Sequence, residues 1–331
     1  MNDLDNIVIT SRVRLARNLK NYKFPIDMTL EESKNVIQEV NNALNKQNGN
    51  YKLTLMKELS EIEKNSLIEN HLISPALAKK KDEGAFLLSP DKKTSIMLNE
   101  EDHIRIQILE EGMSLKECWD LGNNIDDILE ENIDYAFDKE LGYVTSCPTN
   151  LGTGMRASVM LHLPAMSITN QIDRLIYGIS QLGIAVRGVY GEGTKSMGHL
   201  YQISNQGTLG ATEGTLIEKI TQIVMQIVEK EHNTREHIKK NNYDELEDDF
   251  YRSYGILTNA RKINTEEAMR LLSLIKLGNE MGMIQMINEK DIYNLMIKIQ
   301  PNNISNLADE GMSVKERDKK RAEILRNELL R

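Results

Sequence analysis

Cysteine is nearly missing from this chain: Cys118 and Cys147 are the only two among 331 residues. A disulfide framework is therefore excluded as the organising device, and a reducing compartment is the default. Positive charge is in deficit too. A formal net charge of -9 argues against general nucleic-acid binding, which needs a basic face, and suits a basic partner such as exposed arginine. No apolar run approaches the ~20 residues of a membrane span. Met1-Asn2-Asp3-Leu4-Asp5 lacks the basic-then-apolar order of a signal peptide. A soluble cytoplasmic protein with no membrane contact is the expectation. Two catalytic signatures are also missing: G-x-x-x-x-G-K-[ST], and H-R-D paired with D-F-G. P-loop and ordinary protein-kinase mechanisms are thereby disfavoured. No internal repeat, low-complexity tract or protein-held metal site is expected.

What is present concentrates in one stretch, Thr145-Ser146-Cys147-Pro148-Thr149-Asn150-Leu151-Gly152-Thr153-Gly154-Met155-Arg156-Ala157-Ser158. Pro148 stiffens the backbone after the thiol, and Thr149 offers a hydroxyl to a thiolate. Gly152 and Gly154 would let the main chain approach a ligand closely, and Arg156 is a donor fork suited to phosphate. A lone Cys or a lone G-x-G is more often a buried thiol or an ordinary turn; the conjunction favours a site.

Near the N-terminus, Ile7-Val8-Ile9-Thr10 reads as a strand continuing into Ser11-Arg12-Val13-Arg14-Leu15-Ala16-Arg17. Alternation puts Arg12 and Arg14 on one face and Val13 and Leu15 on the other. That pattern describes a solvated edge strand as well as a phosphate clamp. Thr29 to Glu32 is a capping box opening a helix with Val36, Ile37, Val40 and Leu44 buried. The segment to Lys81 is expected to be partly helical and broken by Pro75. Strands are expected over 84–89 and 95–98, then Ile104, Ile106 and Ile108 alternate with Arg105 and Gln107 in a half-buried strand. Three carboxylates, Glu100, Glu101 and Asp102, precede it, which fits a solvated turn or a site.

Two helical stretches are expected over 114–138, with Cys118 a core thiol. A strand over 158–163, a helix over 170–182 and a strand over 184–187 follow. Arg187-Gly188-Val189-Tyr190-Gly191-Glu192-Gly193 then reads as a mobile flap around one carboxylate. After a strand over 200–204, a helix is expected over 213–236. Composition shifts at the acidic run 244–249, where a domain junction is placed. Beyond it the pattern is helical, with helices opened by Asn264 and by Ser313-x-x-Glu316. In the last of these, Arg317, Asp318 and Arg321 share one side, which describes an exposed basic helix end equally well.

Jointly these segments resemble the phosphagen (guanidino) kinases, whose signature C-P-[ST]-N-L-G-T-G-x-R matches residues 147–156. The resemblance covers roughly residues 1 to 235. It implies an α+β catalytic domain over residues 1–240, glutamine-synthetase-like, with a large mainly antiparallel sheet flanked by helices. An all-α C-terminal domain over 241–331 would follow. S-R-x-R, N-E-E-D-H-x-R and R-G-x-x-G-E assign Glu101, Cys147 and Glu192 as catalytic. They assign a nucleotide site to Thr10, Ser11, Arg12, Val13, Arg14, Arg105, Arg156, Ala157, Ser158, Val159, Met160, Arg187, Gly188, Val189, Tyr190, Gly191 and Glu192. ATP and Mg²⁺ would be the cofactors.

Two departures from the metabolite kinases matter. Their helical N-terminal domain, which selects the small guanidine, has no counterpart ahead of Ser11. About ninety further residues lie beyond the catalytic part. Both features resemble the bacterial protein arginine kinases, in which R-D-x-x-R-A binds phosphoarginine; here that would be Arg317, Asp318, Arg321 and Ala322. This branch implies protein substrates with exposed arginine, a zinc-binding activator, a heat-shock repressor and a Clp unfoldase as partners, and a homodimer. Residues 72–81 hold no counterpart to a nucleotide-contacting histidine of the metabolite enzymes. Two other readings stay open: a kinase for free arginine or another small guanidine, and a non-catalytic phosphoarginine reader.

Overall fold

A computed structural model describes residues 6–46, 50–190, 196–285, 292–308 and 311–330. In chain order the elements are β1 (Val8–Arg17), α1 (Leu30–Asn45), β2 (Lys52–Leu55), α2 (Glu61–Glu69), α3 (Pro75–Ala78), β3 (Ala85–Leu88), β4 (Thr94–Leu98), β5 (Ile104–Glu111) and α4 (Leu115–Glu130). They continue with β6 (Phe137–Asp138), β7 (Gly142–Tyr143), β8 (Met155–His162), α5 (Pro164–Ile168), α6 (Ile172–Ser180), β9 (Ile184–Gly188), β10 (Leu200–Asn205) and α7 (Glu213–Asn241). The C-terminal run is α8 (Tyr243–Asn259), α9 (Thr265–Glu280), α10 (Ile292–Lys298), α11 (Pro301–Ser305) and α12 (Val314–Leu329).

Eight strands form one sheet in the order β2-β3-β4-β5-β1-β8-β10-β9, and every pairing in it is antiparallel. The expected α+β architecture is therefore observed. β1 is central, so the solvated-edge reading of S-R-V-R fails.

Period-two alternation divides the sheet into two unlike faces. Val13, Leu15, Ile106, Ile108, Ala157, Val159 and Ile203 point to one side and join the apolar stripes of α1, α4 and α7 in the main core. Val36, Val40, Leu129 and Val224 are each fully buried there. Cys118, also fully buried, belongs to this core as expected, and burial pushes its thiol up to about 12, with Glu110 adding to the shift.

The opposite face carries the polar residues. Its far part is covered by the C-terminal helices: Met160, Val189 and Leu200 pack with Leu257, Met269, Leu272 and Met296 in a second core. The C-terminal helices thus touch the same face that bears the arginines.

Several expected boundaries move, each for a local reason. Pro75 begins α3 at its first turn, where a missing N–H costs nothing, so it starts a helix where a break was expected. Only one helix occupies 114–138, because the chain after Glu130 extends to bring Ala136 N–H onto Asn18 C=O at 2.7 Å. β2 was not anticipated. The acidic run 244–249 sits inside α8; the chain breaks before it, at Asn242 between α7 and α8. The capping boxes at Thr29 and Ser313 and the Asn264 cap all form as the sequence indicates.

Candidate active site

Register alone brings the arginines together. Arg14 lies opposite both Gln107 of β5 and Arg156 of β8, and Arg12 lies opposite Ser158. Arg187 of β9 lies opposite Gln202 of β10, which lies opposite Met160. Directly opposed residues share a face, so Arg12, Arg14, Arg156 and Arg187 emerge on one side, and Arg105, two positions before Gln107, joins them. Arg14, Arg105 and Arg156 line one cleft with Glu101, Cys147 and Thr149. Arg12 continues it into hollows lined by Thr10, His71, Ser158, Met160, Val189, Gln202 and Tyr190.

Arg105 is paired with Glu100 and Glu101, but Arg12, Arg14 and Arg156 have little to neutralise them. The Nε atoms of Arg12, Arg14 and Arg156 are buried without a hydrogen-bond partner among the described residues. Burial first, then Arg156, brings the Arg12 guanidinium down to about 10. Burial, then Arg12, Arg105 and Arg156, holds Arg14 well below its ordinary value. Arg156 is lowered by burial, then by Arg187 and Arg105. Desolvation and like charge both disfavour the cation, so a polyanion placed among these groups would be stabilised strongly. The chemistry of this donor set fits a nucleotide polyphosphate.

The three consecutive acids do three different jobs. Asp102, buried, braces the loop: its Oδ1 accepts from Asn18 Nδ2 and from the Ser146 N–H, each at 2.7 Å. Glu100, also buried, pairs with Arg105 and accepts from the Ser74 hydroxyl. Glu101 alone is open, with its side chain 43% exposed, beside Arg105 at 3.2 Å. Its carbonyl accepts from Ser146 Oγ at 2.8 Å, which ties the acid turn to the thiol loop.

That loop is held from beneath. Arg17, 1% exposed, donates to the Thr153 carbonyl at 2.9 Å and pairs with buried Asp126 at 2.6 Å. Its guanidinium carbon lies 3.5 Å from the centre of the Tyr143 ring. Cys147, half-buried, has its Sγ 3.0 Å from Thr149 Oγ1, as the sequence led us to expect. Gly152 and Gly154 have φ angles of +103° and +64°, and a Cβ would meet the Thr208 carbonyl at 2.9 Å and the Ala16 carbonyl at 2.6 Å. Gly152 serves the close approach of chain to chain; Gly154 does so while also lining the cleft with the arginines.

Strand alternation also divides the expected nucleotide set. Ser11, Val13, Ala157 and Val159 turn to the helix-covered side, where Ser11 Oγ donates to the Gly112 carbonyl at 2.8 Å. Thr10, Ser158, Met160, Val189 and Tyr190 line the cleft with the arginines. Gly188 ends β9, opposite Tyr201. Gly191 and Glu192 lie outside the described residues. At the C-terminus, Arg321 and Ala322 are buried, at 1% and 0% exposure. Arg321 donates to the carbonyls of Ile299 and Ile263 and to Asp318 Oδ1 at 2.9, 3.0 and 2.8 Å. It is not the exposed helix end that charge alone suggested. Arg317 is half-buried and donates to the Met312 carbonyl.

One cleft residue escaped the sequence reading. His71, one position before the segment searched, meets Arg12 in both hollows. Burial, then Arg12, drives its imidazole down to about 3, so it is neutral at ordinary pH. The signal was available: the Ser60–Glu63 capping box fixes the start of α2, and His71 is the second residue past its end.

Comparison with known proteins gives two family matches. The ATP:guanido phosphotransferase C-terminal catalytic domain matches residues 32–234, and the protein-arginine kinase McsB C-terminal domain matches residues 243–331. The protein-arginine kinase of Halalkalibacterium halodurans is 44% identical, over 98% of this chain and 92% of its own length. That of Bacillus subtilis is 44% identical, over 98% and 90%. Among solved structures, the duplicated taurocyamine kinase of Schistosoma mansoni, with bound transition state analog components, aligns at TM-score 0.64 and 26% identity. That alignment covers 72% of this chain and 34% of the other. Lombricine kinase aligns at 0.60 and 25%, over 69% and 67%.

Proposed function

This chain belongs to the ATP:guanido phosphotransferase family and is a protein-arginine kinase; from that premise we propose how its own residues carry the reaction. The observation that carries the proposal is that Arg14 and Arg156, whose buried Nε atoms have no partner among the described residues, line a cleft that also holds one open carboxylate and one thiol. Arg12, Arg14, Arg105, Arg156 and Arg187 hold the ATP phosphates and stabilise charge on the phosphoryl group in flight. Mg²⁺ is proposed to enter on the nucleotide, as Mg-ATP.

Glu101 orients the acceptor guanidinium and removes its proton. The freed nitrogen lone pair forms the new bond to the γ-phosphorus as the bond to the ADP oxygen breaks. Glu192 is assigned the second carboxylate against the guanidinium. Cys147 contributes negative charge and forms no covalent intermediate. His71 takes the part of the nucleotide-contacting histidine.

The exposure of Glu101 and the half-exposed Cys147 put the reacting end of the cleft within reach of an arginine side chain on a protein. We divide the chain into a catalytic domain, 1–240, and a helical domain, 241–331. The R-D-x-x-R-A segment is proposed as a phosphoarginine site read through Arg317 and Asp318, with Arg321 as its buried strut and Ala322 as its floor. No described helix is long and apolar enough to cross a membrane. A cytoplasmic homodimer is proposed, acting in stress response: it marks proteins for Clp-type degradation, inactivates a heat-shock repressor, and is regulated allosterically and by a zinc-binding activator. These roles rest on the family resemblance.

The test is transfer of labelled phosphate from Mg-ATP to an unfolded arginine-containing protein, beside free arginine at equal guanidinium concentration. Acid-labile label on protein alone is expected, because a phosphorus–nitrogen bond hydrolyses in acid. Label on free arginine alone would assign a small-guanidine kinase, and no label on either would leave a phosphoarginine reader.

A further inference from the structure

Glu69, the last residue of α2, is gripped by the C-terminal helices through both side-chain oxygens. Oε1 accepts from the Asn302 N–H at 2.9 Å and from Asn302 Nδ2 at 2.7 Å, and Oε2 accepts from the Asn303 N–H at 2.7 Å. Asn303 Oδ1 accepts in turn from Ser66 Oγ at 2.6 Å and Asn70 Nδ2 at 2.7 Å. Hydrogen bonds to an ionised carboxylate are the strong class, so the end of α2 and the start of α11 form one docked unit.

The main chain of the same residue leads into the cleft. The Glu69 carbonyl accepts from the Tyr190 hydroxyl at 3.1 Å, and that hydroxyl lies 2.9 Å from His71 Nε2. The hydroxyl has one proton and a carbonyl can only accept. Tyr190 therefore donates to Glu69 and receives from His71 Nε2–H, which leaves His71 Nδ1 as an acceptor. His71 is fixed on its other side by Gln107 Nε2, which donates to the His71 carbonyl at 2.8 Å. Both His71 and Tyr190 have φ of +59°, a conformation that side-chain-bearing residues keep only when their surroundings hold them there. On the far side of α11, Arg321 fixes the Ile299 carbonyl. A route of hydrogen bonds joined by short stretches of main chain therefore runs from α12, through residues 299–303 and Glu69, to Tyr190 and His71.

We propose that Glu69 is a positioning residue for the nucleotide: by docking α11 onto the end of α2, it holds the Tyr190–His71 pair that walls the cleft beyond Arg12. ATP affinity then depends on the C-terminal helices being seated. This inference rests on the reading of the arginine cleft as the ATP site.

The experiment uses the full chain and measures Mg-ATP binding by calorimetry, with kcat and KM for ATP on an unfolded protein acceptor. Glu69→Ala is expected to raise Kd and KM for ATP about tenfold while kcat at saturation stays within about twofold, the pattern of lost uniform binding. Glu69→Gln, which keeps one acceptor oxygen but turns an amide NH2 toward the other donor, should recover part of that loss. Tyr190→Phe should raise Kd similarly, and combining it with Glu69→Ala should add little, because both break one route. A wild-type Kd in Glu69→Ala, even with a lowered melting temperature, would reduce Glu69 to a docking residue and overturn the proposal. Should Glu69→Ala fail to fold, an unchanged Kd in both Glu69→Gln and Tyr190→Phe overturns it equally. Failure of the wild-type chain to bind Mg-ATP would instead sink the functional reading beneath it.

Discussion

Two sets of arginines in this chain look alike in sequence and differ in what their donors are doing. In the sheet, Arg12, Arg14 and Arg156 are pressed together with buried Nε atoms that find no partner among the described residues. In α12, Arg321 is more buried still, yet it spends its donors on two main-chain carbonyls and on Asp318. Unspent donors among like charges make a site for an anion; spent ones make a strut. Charge and spacing could not tell them apart, because the distinction lies in carbonyls supplied by remote segments around residues 263 and 299.

The sharpest way to break this contrast is to remove a cradle arginine. Arg156→Ala should lower kcat/KM for phosphate transfer by roughly a thousandfold or more, the scale of arginine groups on a transferring phosphoryl. Arg156→Lys should rescue little, because an ammonium lacks the planar fork. Near-normal turnover in either variant would remove Arg156 from the phosphate site.

Next in size is the brace under the thiol loop. Asp126→Ala leaves the Arg17 charge buried and unpaired and should destabilise the fold by about 3–5 kcal/mol, read by denaturant unfolding. Arg321→Ala should cost about 2–3 kcal/mol by stranding its acceptors, whereas the half-buried Arg317→Ala should leave stability nearly unchanged. Equal effects from those two would erase the distinction between strut and surface.

A further contrast is in pH. Burial lowers His71 to about 3, His199 to about 4, and His162 well below its ordinary value. The unfolded chain takes up these protons near pH ~6.5 while the native state refuses them. Their contribution is therefore complete above about pH 6.5 and is lost as pH falls toward 4. For fully buried His162 the slope is about 1.4 kcal/mol per pH unit. Melting temperature should drop between pH 7 and pH 5, and His162→Gln should flatten that drop.

Much of this arrangement was legible before any coordinates. Alternation in residues 11–15 and 104–108 named the face that bears the arginines, and the capping boxes at Thr29 and Ser313 placed two helices, because both signals are local. The division of labour among Glu100, Glu101 and Asp102 was not legible, since it depends on Ser74, Asn18 and Ser146 arriving from elsewhere. His71 was missed for the same reason: its use comes from Arg12 and Tyr190, far away in sequence. Gly154 was read as ligand-facing and does line the cleft, whereas Gly152 must clear the backbone of residue 208, which no local pattern announces.

The most direct measurement is calorimetric titration of Mg-ATP into Arg156→Ala and Arg321→Ala, below the melting temperature of each. Loss of binding in Arg156→Ala, with binding in Arg321→Ala weakened no more than in Glu69→Ala despite its lower stability, is the expected result. Retained binding in Arg156→Ala would contradict the claim that the clustered arginines of the sheet are the phosphate site.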